Sequence, residues 1–265
     1  MAYSDCALVV KKLDSFKLQQ IFDDEPQSWR ELELYILQAF TEMGYHTSKG
    51  LIDTVRGRVE IDVIARSDKS TLPSMTLCEC KFWDRKVSQN VIHSFRATCS
   101  DAGANLGLVI SKNGFQKGAE EKRRFTNVGV LTFSDFQKRY FDEWKSSIFM
   151  TLERMRDEIL PLFRAQNGME EYGTDLVKQK VVEGKGLEEK YWILWGTPVS
   201  KFFIQNNPFP FEVVDPRGPI EQKNKILLKS HREFLEICRE GMLCARAQFG
   251  LPEHSFDGKG FLRAT

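Results

Sequence analysis

Three polar side chains that could do chemistry stand on two short apolar stretches of the sequence. Asp62 belongs to residues 59–65, and Glu79 and Lys81 belong to residues 76–83. Both stretches alternate with period two and are rich in β-branched, aromatic or small apolar residues, which predicts two β-strands. Side by side, such strands could bring Asp62, Glu79 and Lys81 to one face of a sheet. Two carboxylates and an ammonium there could hold a hard divalent cation and orient a water molecule beside it.

The same residues also have a purely structural interpretation. A Glu-x-Lys in a strand is more often a solvated face or a cross-strand ion pair than a catalytic site. Cys78 and Cys80 could form a metal pair, but no C-x-x-C motif or Cys/His set accompanies them. Thiols that face the core are therefore favoured at these two positions.

Length and composition bound the class of protein. The 265 residues suffice for one large domain or two smaller ones, and 42% hydrophobic with 12% aromatic residues is typical of a folded globular chain. No apolar run reaches the length of a membrane span, and the first residues lack a signal-peptide pattern. Six dispersed cysteines suit free thiols. We expect a soluble, cytoplasmic protein with no membrane partner.

The charge balance means that any polyanion must be bound by a local patch. Lys and Arg number 38 and Asp and Glu 37, which leaves a net charge of +1. Basic residues cluster at Lys81, Arg85 and Lys86, and again within residues 117–124. The neighbouring glutamates favour a solvated helix face for the second cluster.

A helix is predicted over residues 29–43. Ser28 is a plausible N-cap, Glu31 would complete a capping box, and Gly44 suits the position after the last turn. The helix would carry one apolar stripe. Its members are Trp29, Leu32, Ile36, Phe40 and Met43.

One carboxylate of this helix stands in an unusual place. Glu31 and Glu42 fall opposite the apolar stripe, but Glu33 lies at the edge of the apolar arc. A carboxylate there is costly unless something compensates for it. Glu33 is therefore a functional candidate, although a buried partner such as an arginine would explain it equally well.

The remaining elements up to about residue 140 alternate. A first strand and turn are expected before residue 57, and Asp135 is the predicted N-cap of a further helix. The other predicted elements are helix 87–101, strand 106–110, helix 115–125 and strand 128–133. Short apolar strands separated by helices imply a sheet covered on both faces. The fold class is therefore α/β, with a mixed central sheet flanked by helices.

The character of the chain changes beyond residue 140. Residues 141–165 have helical periodicity that Pro161 would interrupt or end, and a long helix is expected over residues 219–249. The aromatic residues in 191–214 could stack nucleic-acid bases, but a satellite core is favoured. We expect two parts: a domain formed by residues 1–140, and a mainly helical, aromatic-rich region, residues 141–265.

The order of these motifs resembles the PD-(D/E)xK nuclease superfamily, and most closely the catalytic domain of Mrr-type restriction endonucleases. A helix glutamate precedes Gly44-Tyr45, a strand with Ile-Asp-Val-Ile follows, and then come the Glu-x-Lys strand, a helix, a strand, a helix and a strand. The resemblance covers residues 28–137. The matching positions are Glu33 for the helix glutamate, Asp62 for the metal-binding aspartate, Glu79 for the second acid and Lys81 for the lysine.

This resemblance implies an Mg²⁺-dependent endonuclease, in which Mn²⁺ could replace Mg²⁺. Asp62, Glu79 and the backbone carbonyl of Cys80 would bind the metal, and Glu33 would hold a second metal or its water. Lys81 would orient the attacking water. The resemblance also implies DNA in preference to RNA as substrate, in a prokaryotic restriction or phage-defence setting.

Two further hypotheses stay open. The fold could serve as a nucleic-acid-binding or protein-binding module without chemistry, although the intact acid-acid-lysine set argues against this. Alternatively, residues 141–265 could bind a regulatory partner or signal that switches a nuclease on. Cleavage of a duplex by one site per chain would suggest a homodimer.

Overall fold

The computed structural model describes eight ranges: residues 20–67, 73–117, 127–166, 190–194, 209–219, 224–251, 254–256 and 262–264. The chain divides into two compact units inside one long helix, between Trp144 and Lys145. The described residues from Gln20 to Trp144 form the first unit. The described residues from Lys145 onward belong to the second unit.

The first unit is a five-stranded mixed sheet with helices on both sides. Its elements in chain order are α1 (Trp29–Glu42), β1 (His46–Thr54), β2 (Gly57–Ser67), β3 (Ser74–Lys81), α2 (Gln89–Asp101), β4 (Leu106–Ser111), β5 (Val128–Thr132) and the start of α3 (Phe133–Gln166). The sheet order is β1-β2-β3-β4-β5. The first three strands are antiparallel neighbours, and β3, β4 and β5 are parallel. The predicted fold class is confirmed, while most of the expected helix 115–125 lies outside the described residues.

Helix α2 covers one face of the sheet, and helix α1 covers the other. Leu77 and Val109 pack with Phe95 and Cys99 of α2 in one apolar cluster. On the other side, α1 contacts β1, β2 and β3. It meets α3 through Phe40, whose ring centre lies 5.5 Å from that of Tyr140. Strand residues therefore alternate between two apolar layers, as the period-two pattern predicts.

The start and end of α1 agree with the capping signals. The Ser28 hydroxyl accepts a hydrogen bond from the Glu31 amide at 3.2 Å, and the Glu31 carboxylate accepts one from the Gln27 amide at 2.6 Å. Gly44 follows the helix with a φ of 82°, a left-handed conformation that favours glycine. The predicted N-cap at Ser28 and the C-terminal glycine are confirmed, but Glu31 accepts from the amide of Gln27, one residue before the cap, and not from that of Ser28 as in a capping box.

Two predicted orientations on α1 are wrong. Trp29, expected in the apolar stripe, is 52% exposed, and Glu42, expected on the solvent side, is only 2% exposed. The Glu42 carboxylate accepts a hydrogen bond at 2.7 Å from the indole Nε1 of Trp144. That donor stands 102 residues further along the chain, so the periodicity of α1 alone could not reveal it.

The junction between β5 and α3 also differs from the prediction. The helix begins at Phe133, and the Thr132 hydroxyl accepts a hydrogen bond from the Asp135 amide at 3.1 Å. The Asp135 carboxylate accepts one from the Thr132 hydroxyl at 2.7 Å. Thr132 is thus the cap and Asp135 its partner in the first turn, so the predicted N-cap at Asp135 is wrong. The helix also does not end at Pro161.

The second unit contains helix and small sheets. Its elements are a 3₁₀ turn (Trp192–Leu194), β6 (Phe211–Val214), β7 (Lys225–Leu228), α4 (His231–Gln248), β8 (His254–Phe256) and β9 (Leu262–Ala264), in the pairs β6-β7 and β8-β9. The expected helix 219–249 is wrong over residues 224–230, which include strand β7. Ser230 explains the difference, because its hydroxyl accepts from the Glu233 amide at 3.0 Å and caps α4.

The aromatic stretch 191–214 is described only at its ends. Tyr191, Leu194 and Phe211 are buried, and the Phe211 ring centre lies 6.2 Å from that of Phe234 on α4. This supports the satellite core at these positions. Within the described ranges, no helix is both long and apolar enough to cross a membrane.

Candidate active site

Asp62 and Glu79 lie one residue beyond the last paired residues of β2 and β3. The antiparallel ladder of these strands ends at Val63 and Cys78, and its register, continued by one residue, would oppose Asp62 to Glu79. Directly opposed residues point to the same face of a sheet. The Asp62 Oδ2 atom accepts a hydrogen bond from the Cys80 amide at 2.7 Å. The Asp62 carboxylate is therefore fixed against the last residues of β3, where the described ladder to β2 has ended.

Lys81 points back into the same site. Its Nζ donates a hydrogen bond to Glu79 Oε1, and the two side chains are 18% and 21% exposed. The ammonium also lies 5.2 Å from the centre of the Trp83 ring. Lys81 is thus held between a carboxylate and an aromatic face and does not extend into bulk solvent.

Glu33 approaches the site from α1. Its side chain is 13% exposed, and Oε2 lies 3.8 Å from Nζ of Lys49, a largely exposed residue of β1. Burial is the largest cause that raises the pKa of Glu33, and the charges of Asp62 and Glu79 raise it further. Glu33 therefore lies within electrostatic reach of both strand carboxylates, and its cationic partner is a surface lysine instead of a buried arginine.

The carboxylates disfavour one another's ionisation. Burial raises the pKa of Glu79, the hydrogen bond from Lys81 opposes this, and Asp62 raises the pKa again. Glu79 pairs with Lys81 of β3 and Glu33 with Lys49 of β1, so the carboxylates of Asp62, Glu79 and Glu33 outnumber these two ammonium groups. Such an excess of carboxylate oxygens is chemically suited to a hard divalent cation, which would relieve the repulsion.

The described side chains of the site do not form a complete shell of metal ligands. Among the residues that the structure describes, no three His, Cys, Asp or Glu side chains converge as metal ligands. Glu79 is instead turned towards Lys81. Carboxylate oxygens from Asp62 and Glu79 fit Mg²⁺ by type, with Glu33 close by. The ligand role of the Cys80 carbonyl remains a prediction.

Residues 25–139 match the family model described as restriction endonuclease, Mrr_cat. They form a restriction endonuclease-family domain. This range contains all four predicted site residues and nearly coincides with residues 28–137, so the predicted resemblance is confirmed. The matched segment is a little under half of the 265-residue chain.

Two solved structures have a similar chain course at low sequence identity. One is a protein of unknown function, AF1548, with 16% identity and a TM-score of 0.37, covering 58% of this chain and 94% of that one. The other is the MspJI restriction endonuclease in complex with a 27-mer oligonucleotide, with 16% identity and a TM-score of 0.31. That match covers 56% of this chain and 36% of MspJI. No curated protein matches this sequence.

The cysteines of the restriction endonuclease-family domain are core thiols. Cys78 and Cys80 are both buried. Burial raises the pKa of each thiol, and nearby acidic side chains raise it further. The burial of both side chains agrees with the prediction that these thiols face the core.

Three residues contribute to the site besides the four predicted site residues. They are Lys49, which pairs with Glu33; Trp83, whose ring faces Lys81; and Lys112, whose amide donates to the Lys81 carbonyl at 3.0 Å. Only Trp83 carried a usable signal, because it shares the strand parity of Glu79 and Lys81. The predicted basic residues 122–124 lie outside the described residues.

Proposed function

We propose that the restriction endonuclease-family domain is a metal-dependent endonuclease that hydrolyses phosphodiester bonds in DNA. Asp62, Glu79 and Lys81 are the proposed catalytic residues, and Glu33 assists from α1. The observation that carries the proposal is the convergence of two carboxylates and one ammonium at the end of β3. The family match over residues 25–139 independently favours phosphodiester hydrolysis.

A structural ion pair does not account for this arrangement. A Glu79–Lys81 pair alone would balance its own charge, whereas Asp62 and Glu33 add two more acids, and the charge of Asp62 raises the pKa of both Glu33 and Glu79. Such crowding costs folding energy unless something else compensates for it. Perturbed acids next to a lysine are typical of a site that binds a cation and handles a proton.

The residues present fit Mg²⁺, and Mn²⁺ prefers similar oxygen ligands. Asp62, Glu79 and the Cys80 carbonyl would hold the first cation, and Glu33 a second cation or its water. When bound, the cation polarises the scissile phosphate and lowers the pKa of a bound water.

Side chains of this protein would orient the attacking water and neutralise the charge that develops on the phosphate. The Lys81 ammonium would orient the attacking water and neutralise charge that develops on the phosphate oxygens. Glu79 fixes that ammonium from one side, and the Trp83 ring limits its movement from the other. Because Lys81 stands as a charged donor in an ion pair, orienting the water suits it better than removing the water's proton.

The substrate and the biological setting follow from the family alone. DNA is favoured over RNA, and restriction or phage defence is the proposed context. A homodimer would supply the second active site that duplex cleavage requires.

The test is incubation of the full-length protein with plasmid, linear and single-stranded DNA, with and without Mg²⁺. Lys81→Ala and Asp62→Asn should keep the fold and reduce the cleavage rate by at least about 10²-fold, the usual loss for one electrostatic group. Lys225→Ala is a matched control, because Lys225 also pairs with a strand glutamate, Glu212, at 3.6 Å but lies in the other unit. Undiminished cutting by both site variants would reject the assignment.

A further inference from the structure

Two loops leave the sheet where β3 and β4 end, and they form one connected surface. We name residues 82–88 and 112–116 the basic loop pair. The loops are joined by hydrogen bonds from the Val87 amide to the Gly114 carbonyl at 3.0 Å and from the Asn113 side chain to the Trp83 carbonyl at 2.9 Å. A further bond from the Lys112 amide to the Lys81 carbonyl attaches the surface to the candidate active site. The basic loop pair is therefore held in fixed relation to the catalytic lysine.

Aromatic rings contact the cationic side chains of this surface. The Arg85 guanidinium carbon lies 5.3 Å from the centre of the Trp83 ring, the same ring that faces the Lys81 ammonium. The Lys112 ammonium lies 4.4 Å from the centre of the Phe82 ring. Such cation–π contacts restrict long side chains and leave their donors free for a ligand. Trp83 thus connects an exposed arginine to the catalytic group.

One acidic residue limits the positive charge of the surface. The Asp84 carboxylate lies 2.8 Å from the Lys112 ammonium, and its side chain is 92% exposed. An ion pair this exposed contributes little and exchanges readily with another anion. Arg85 and Lys86 are exposed as well, so the loops carry a local excess of cations in a chain whose net charge is only +1.

We propose that the basic loop pair binds the phosphate backbone of a DNA duplex next to the cleavage position. Arg85 takes one phosphate with its paired N–H donors, and Lys112 exchanges Asp84 for another. This inference deepens the proposed function and depends on it for the identity of the polyanion. Because the contacts are to phosphates, they contribute affinity and salt dependence without reading sequence.

The experiment measures binding without cleavage. The full-length protein is titrated into a fluorescently labelled DNA duplex in EDTA, and Kd is followed by anisotropy over a series of KCl concentrations. Arg85→Ala should weaken binding equally on two unrelated duplex sequences. It should also reduce the slope of log Kd against log salt by about 0.9, the value for one lost phosphate contact.

The control for Arg85 is Arg58→Ala. Arg58 is also an exposed, ion-paired arginine, 2.9 Å from Asp53 in the β1–β2 hairpin. The tip of that hairpin bonds through the Val55 amide to the carbonyl of Asp101, at the end of α2 that is distant from the basic loop pair. That end is roughly 18 Å further along the helix axis. Arg58→Ala should leave both Kd and the salt slope unchanged.

A second variant should change affinity in the opposite direction. Asp84→Asn removes the competing carboxylate and frees Lys112, so the duplex should bind several-fold more tightly and with a steeper salt dependence. Asp53→Asn is the matched control, because it also removes an exposed carboxylate from an ion pair with a cation. It should leave binding unchanged.

Three results would overturn the inference. They are a wild-type protein that does not bind the duplex, an Arg85→Ala slope equal to that of Arg58→Ala, and no tightening by Asp84→Asn relative to Asp53→Asn. Failure of the nuclease proposal gives a different result. In that case the duplex binds in EDTA with these variant effects, but Mg²⁺ produces no cleavage that depends on Lys81.

Discussion

At the residue scale, the proposed catalytic role of Glu79 comes with a cost to stability. Burial raises its pKa above the ordinary 4.5, more than the hydrogen bond from Lys81 lowers it. A carboxyl group with a raised pKa in the folded state gives its full contribution to stability below its unfolded pKa. That contribution is lost as the pH rises through the folded-state pKa. Above that folded-state pKa, the ionised form of Glu79 therefore destabilises the fold.

Glu79→Gln should consequently raise the midpoint of thermal unfolding at neutral pH while it abolishes cleavage. The amide keeps the shape of the protonated acid without its charge, so the gain should disappear when the pH falls below 4.5. Thermal unfolding by circular dichroism at several pH values measures both effects. Glu212→Gln, which removes a 61% exposed carboxylate paired with Lys225, is the control and should give no gain. An unchanged or lower midpoint for Glu79→Gln would contradict the argument.

The raised pKa values of Glu33 and Glu79 would also determine the pH dependence of the proposed cleavage activity. Glu33 and Glu79 have raised pKa values, and both would bind a cation only when ionised. Mg²⁺ affinity and the cleavage rate should therefore fall on acidification, starting above pH 4.5. A pH–rate profile at fixed Mg²⁺ measures this acid limb, and Glu33→Gln should alter its shape. A rate that stays flat down to the ordinary carboxyl pKa would show that neither group is engaged.

The sequence predicted which strand residues face one another, because alternation with period two is a local property. Asp62, Glu79 and Lys81 required nothing more than that pattern and a pairing of two strands. The partners of these residues were not predictable in the same way. Lys49 and Lys112 reach the site from other strands and loops, and their positions depend on the register of the whole sheet.

At the element scale, the close approach of α2 to β4 depends on Gly107. A Cβ atom there would lie 2.6 Å from the Cys99 sulfur and 3.0 Å from a methyl carbon of Val128. Gly107→Ala should therefore destabilise the domain by about 1–3 kcal/mol, the usual cost of overpacking. Urea unfolding measures the loss.

The double variant Gly107→Ala/Cys99→Ala tests the cause. Removing the sulfur should recover most of the lost stability, because the closest clash is with that atom. Gly129→Ala is a useful comparison. Its Cβ atom would meet the terminal methyl group of Leu108 at 3.0 Å, which can rotate away, so the loss should be smaller. Equal losses for Gly107→Ala with and without Cys99 would contradict this account.

Element boundaries were predictable wherever capping is local. The Ser28 cap marks the start of α1 in sequence and in structure. Ser230 caps α4 in the same way, and the prediction of a helix from residue 219 does not use this signal. Glu42 could not be placed, because its burial depends on an indole that arrives from α3. Capping residues that are close in sequence therefore predict where helices begin. Tertiary packing determines which polar residues of those helices are buried, and the local sequence does not predict it.

At the scale of the whole molecule, the division between the two units falls inside α3. The sequence placed the change of character after residue 140, and that boundary remains a prediction. The contacts of the first unit extend to Glu143, which accepts a hydrogen bond from the Tyr45 hydroxyl at 2.9 Å, and to the fully buried Trp144. A fragment that keeps these two residues should therefore contain the contacts that the fold of the first unit needs.

The prediction is that residues 20–150 fold independently and that residues 20–140 are markedly less stable. The shorter fragment lacks Trp144, whose lost packing alone should cost about 3–5 kcal/mol. It also deprives the buried Glu42 carboxylate of its indole donor, which adds about 1–3 kcal/mol. Urea unfolding of both fragments measures the difference, and equal stability would show that Trp144 does not anchor the unit.

The longer fragment also tests whether residues 141–265 regulate the proposed nuclease. If the fragment cuts DNA while the 265-residue protein does not, the second unit inhibits the first. If both cut equally, regulation through that region is excluded.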